Sequence, residues 1–155
     1  MNSRKGLVFI MLCTPLINKA LDLSYKAHEH HLDRSGSPYI FHLYYIASQM
    51  EHENEICTAL LKDILEDRTM NLTELAALGF SKCILEAITL LTRPKTMSFE
   101  TYLRRVSKNE LAKKVLIQDL SYDLLLQQVT AGMNETSQKK IMQKQNALSF
   151  LQSAC

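Results

Sequence analysis

The run Lys62-Asp63-Ile64-Leu65-Glu66-Asp67 puts three carboxylates and an amine within six residues. On a helix, Asp63, Glu66 and Asp67 share a face, because positions three and four apart are neighbours. They repel one another unless something cationic sits among them. A solvated acidic helix end is the plainer alternative. Two distant residues bear on that choice. His42 stands among Ile40, Phe41 and Leu43, where an imidazole is either a partnered core residue or a ligand. Asp119 interrupts Val115-Leu116-Ile117 and Leu120, ahead of Leu124-Leu125-Leu126, in the most apolar stretch of the chain. A carboxylate there is costly to desolvate unless it is paired or bound to a metal. Asp123 follows one turn later on the same face.

The elements that must carry these residues are helices. Thr14-Pro15 is an N-cap followed by proline at the first helical position. Leu16, Ile17, Ala20, Leu21, Ser24 and Ala27 then keep helical spacing up to the His28–His31 region. Residues 33–38 read as a loop broken by Gly36 and Pro38. A second helix is expected from Tyr39 to about Met50, and a third from about Glu53 to Asp67. The third should turn Cys57, Leu60, Leu61, Ile64 and Leu65 to the core and Lys62, Asp63, Glu66 and Asp67 away from it. Asn71 or Thr73 caps a short helix ending at Gly79, and Ser81 starts another to about Leu91. Arg93-Pro94 breaks the chain, and Ser98 caps a helix bearing Phe99, Tyr102, Leu103 and Val106. A long helix from Leu111 to about Val129 and a last one from Thr136 or Ser137 to Phe150 complete the chain. The pattern predicts an all-α single domain of seven or eight helices.

Bulk properties agree with one domain. The 155 residues are 46% hydrophobic with a net charge of +2, which supplies a core and excludes wholesale disorder. No dense basic run with interleaved aromatics argues for nucleic acid, and no run is long enough to span a bilayer. Cys13, Cys57, Cys83 and Cys155 lack paired short spacings, which favours reduced thiols and a cytoplasmic location over a disulfide framework. Arg4-Lys5 and the apolar residues after them imitate a signal peptide only faintly, so residues 1–13 read as an N-terminal extension.

The segments Ala27-His28, Arg34-Ser35-Gly36-Ser37-Pro38-Tyr39-Ile40-Phe41-His42, Leu60-Leu61-Lys62-Asp63-Ile64-Leu65-Glu66-Asp67 and Asp119 together carry a family resemblance. The stretch from Thr14 to Leu126 resembles the HD-domain hydrolases of guanosine tetra- and pentaphosphate, the hydrolase half of Rel/Spo enzymes and the small alarmone hydrolases. The resemblance implies a single HD-type domain over residues 14–130 with residues 131–155 as a helix packed on it. It also implies a divalent ion, commonly manganese, held by two histidines and two aspartates, where a metal-activated water releases the 3′-pyrophosphate. Such a mixed imidazole and carboxylate site suits Lewis-acid hydrolysis. By the same resemblance His42, Asp63 and Asp119 match three ligands, and Glu66 and Asp67 match the acidic pair acting on the water. Arg34, Ser35 and Asp123 would line a nucleotide pocket.

The chain departs from that pattern where it matters most. Lys62 stands at the second ligating histidine, Leu43 replaces a proline, Leu116 a lysine, and Tyr122-Asp123 a His-Asn pair. A protonated ammonium cannot ligate and repels a dication, and acidic neighbours favour its charged form. Lys62 is therefore expected to pair with Asp63, Asp119 or Glu66 as a built-in cation. The expected result is a degenerate site, impaired in metal binding and catalysis, that keeps a pocket for a guanine nucleotide or a protein partner. The competing expectation is an active manganese-dependent pyrophosphohydrolase whose adapted site recruits His28, His31 or a water. His28 and His31 otherwise read as imidazoles favourably placed near a helix C-terminus.

Overall fold

The caps expected at Thr14, Asn71 and Ser98 are formed, whereas Ser81 opens its helix without a side-chain cap hydrogen bond. A computed structural model describes residues 13–66, 68–130 and 135–154. Thr14 accepts from the Ile17 amide through its hydroxyl (3.2 Å) and opens α1, Pro15–His28. Helices α2 (Ile40–Ser48) and α3 (Glu53–Leu61) follow. Asn71 caps α4 (Leu72–Ala77) in a reciprocal capping box with Glu74, satisfying donors that a helix start leaves open. Gly79 ends that turn at φ +98°, a conformation that costs glycine little. Helices α5 (Lys82–Leu91) and α6 (Phe99–Val106) come next, the latter capped by Ser98. The long α7 (Glu110–Thr130) and the last helix, α8 (Glu135–Ser153), close the chain. Among the described residues there are eight α-helices and no strand, only an isolated bridge between Leu32 and Pro38.

Helix α3 is the axis of the molecule. It packs against α1, α2, α5 and α7, and every residue from Ile56 to Leu61 is buried. A helix enclosed on all sides is apolar all round rather than amphipathic. Thr58, the polar exception, returns its hydroxyl to the Asn54 carbonyl (2.7 Å). Burial of each Leu or Ile here contributes about 1.5–3 kcal/mol. Helix α7 lies along α2, α3, α5 and α6, and α8 lies along α7, burying Ala147 and Leu151.

One element ends earlier than its sequence predicts. The expected third helix runs to Asp67, but α3 stops at Leu61 and residues 62–66 form tight turns. Ile64 donates to the Leu61 carbonyl and Glu66 to the Asp63 carbonyl, both at 3.0 Å, so three-residue closures replace the four-residue ladder. The tightening keeps Ile64 in the core while turning Lys62 and Asp63 together toward one cleft. Lys62 is 5% exposed, so it lies inside the fold rather than on a solvated helix face.

Candidate functional site

A cleft of about 770 Å³ opens between the α1–α2 loop, the end of α3, the α5–α6 connection and helices α7 and α8. His42, Lys62, Asp63 and Asp119, up to 77 residues apart in sequence, meet on its floor. His42 Nε2 lies 2.7 Å from Asp119 Oδ1. A carboxylate only accepts, so the imidazole proton of this pair sits on Nε2. Lys62 Nζ donates to Asp63 Oδ2 at 2.7 Å and stands 3.3 Å from Asp119 Oδ2. Tyr39 donates its hydroxyl to the same Asp63 oxygen (2.5 Å). Tyr122 stacks on His42, with ring centroids 4.3 Å apart and planes inclined by 23°.

The charges hold one another. Burial alone would drive Lys62 toward its neutral amine, but Asp119 and Asp63 outweigh it and push its pKa well up. Burial likewise opposes ionisation of Asp119, and Lys62 followed by His42 pulls that carboxyl well below the usual range. Desolvation lifts the Tyr39 phenol far up, so it stays a donor to Asp63. The floor is thus a network of one ammonium, one imidazole, one phenol and two carboxylates, in which the ammonium lies between both acids.

The remaining expected residues are placed unequally. Arg34, Glu66 and Asp123 line the cleft, whereas Asp67 lies outside the described residues. Ser35 does not line it. Its amide and hydroxyl both bond Asp33 Oδ1 (2.8 and 2.6 Å), as does the Ser37 amide (3.0 Å), in a turn where Gly36 takes φ +81°. Asp123 is paired with Lys144 of α8 at 2.6 Å. His28 is buried with its Nδ1 3.1 Å from His31 Nδ1, and neither ring lines the cleft. The ring of Tyr39 contacts both His28 and His42 edge-on.

Three groups of contributors have little signature in the sequence. Tyr122 shows there only as a departure at a family position, while its stacking on His42 depends on how α2 meets α7. Arg93, Phe99 and Tyr102 form the wall opened by the Arg93-Pro94 break. Lys144 and Gln143 reach the cleft only because α8 folds back along α7. Among the described residues, no group of three or more histidine, cysteine, aspartate or glutamate side chains is arranged to hold a metal ion, and no helix is long and apolar enough to cross a membrane.

No protein-family model matches the chain, and no curated protein matches it in sequence. Among solved structures it is similar to a metazoan ortholog of SpoT that hydrolyses ppGpp and plays a role in starvation responses. The TM-score is 0.74 at 18% sequence identity, covering 91% of this chain and 88% of that one. At that identity the likeness is one of fold, an all-helical domain.

Proposed function

We propose that this domain is a degenerate HD-type phosphohydrolase that binds a guanosine polyphosphate-like nucleotide without a divalent metal and does not hydrolyse it efficiently. The single observation that carries the reading is the Lys62 ammonium, 2.7 Å from Asp63 and 3.3 Å from Asp119. Manganese does not fit this donor set as it stands. Its three surviving ligand positions already partner one another or Lys62, with the His42 Nε2 proton directed at Asp119. A dication placed among them would meet a fixed positive charge whose desolvated environment strengthens the repulsion. With an ammonium in place of the metal, Lys62 still ties Asp63 and Asp119 together, so the pocket persists while its Lewis acid is lost.

The competing reading, an active manganese-dependent hydrolase with an adapted site, draws support from the convergence of His42, Asp63 and Asp119 with Glu66 on the same cleft. One experiment separates the two. Purified chain is dialysed against manganese, its bound metal is counted, and pyrophosphate release from guanosine tetraphosphate is followed. The degenerate reading expects no stoichiometric metal and no release above background, with Lys62→His gaining bound manganese. Stoichiometric manganese and turnover in the unaltered chain overturn it.

A further inference from the structure

We infer that Arg93, on the α5–α6 connection, is the group that receives the ligand's phosphate. This rests on the reading of the cleft as a phosphoester pocket. Four cationic side chains line the cleft: Arg34, Lys62, Arg93 and Lys144. Lys62 is committed to Asp63 and Asp119, and Lys144 to Asp123 at 2.6 Å. Among the described residues neither guanidinium has a carboxylate partner. Arg34 directly follows Asp33, an acid that also lines the cleft and whose charge opposes an anion there.

Arg93 has no such neighbour, and it is held in place. Its guanidinium carbon stands 5.6 Å from the centroid of the Phe99 ring. Phe99 packs on Tyr102 at 6.2 Å and 30°, and the Tyr102 hydroxyl donates to the Leu91 carbonyl (3.1 Å), fixing the shelf to the end of α5. A cation–π contact uses the face of the guanidinium and leaves its edge donors available. Those donors form the planar fork that matches phosphate oxygens in pairs. The ligand class is therefore a phosphate or pyrophosphate ester whose charge is taken by arginine on the Arg93–Phe99 wall, not by the floor.

The test is calorimetric titration of the full chain in EDTA with two probes, inorganic pyrophosphate and guanosine tetraphosphate. Arg93→Gln should weaken both by roughly tenfold or more, the loss typical of a charge-assisted hydrogen bond. Arg93→Lys should recover only part of the loss, and Arg104→Gln, which removes an exposed arginine paired with Glu100 on α6, should leave both affinities unchanged. Arg93 is exposed, so its variants are expected to fold, which circular dichroism checks. If the unaltered chain binds neither probe, the phosphoester reading of the cleft fails and this assignment with it. If it binds both and Arg93→Gln changes neither affinity, the cleft reading stands and the Arg93 assignment is overturned.

Discussion

Lys62 brings one positive charge on a four-carbon stem to two carboxylates that a dication would draw in more strongly. The stem is buried with the charge, so the residue contributes packing as well as neutralisation. Removing one partner from a buried ion pair leaves the other uncompensated, at about 3–5 kcal/mol. Lys62→Met keeps the stem and removes the charge, leaving Asp63 and Asp119 facing each other. The expected result is a loss of about 3 kcal/mol or more, read as a lower urea midpoint with an unchanged slope. A loss within about 0.5 kcal/mol, as for an ordinary surface substitution, would mean that the lysine does not hold this network together.

At the scale of elements, Glu55 does the joining that caps alone cannot. Its carboxylate accepts from the Glu51 and His52 amides at the start of α3 (3.0 and 3.2 Å) and pairs with Lys114 of α7 at 2.8 Å. Partial burial opposes its charge, but Lys114 and the two amides outweigh that and hold its pKa below the usual range. A depressed folded pKa contributes stability that is complete above the unfolded value, about 4.3, and is lost as pH falls through the folded value. Glu55→Gln should therefore cost about 1 kcal/mol at neutral pH, with the difference from the unaltered chain shrinking below about pH 4. Chemical denaturation at pH 7 and pH 3 measures both ends, and a difference independent of pH would remove the ionised carboxylate from the account.

What could be foreseen at this scale follows the range of the forces. The caps Thr14, Asn71 and Ser98 were legible because each satisfies an amide three residues away. The early end of α3 was not, because the three-residue closures at 62–66 come from the demand that Ile64 stay buried while Lys62 and Asp63 face the cleft. His42, Lys62, Asp63 and Asp119 were legible as a set through their family resemblance. The Arg93–Phe99 wall and the Lys144–Asp123 pair arise from how α5, α6 and α8 dock, which no local pattern encodes.

Across the whole molecule, the cleft draws its walls from both ends of the chain, from Leu32 to Lys144, so occupancy and folding are linked. A ligand that binds only the folded chain adds about 2.7 kcal/mol at a hundredfold excess over its Kd. For a domain of this length that amounts to a rise in Tm of roughly 5–10 °C. On the proposed reading guanosine tetraphosphate in EDTA should give such a rise, because arginine would take its phosphates without a metal. Manganese alone should give none, because Lys62 already satisfies the two carboxylates a dication would need. The two measurements pull apart the two accounts of this fold. A rise with manganese alone would mean that the ion displaces the ammonium from Asp63 and Asp119, and the site would then have to be regarded as a metal centre.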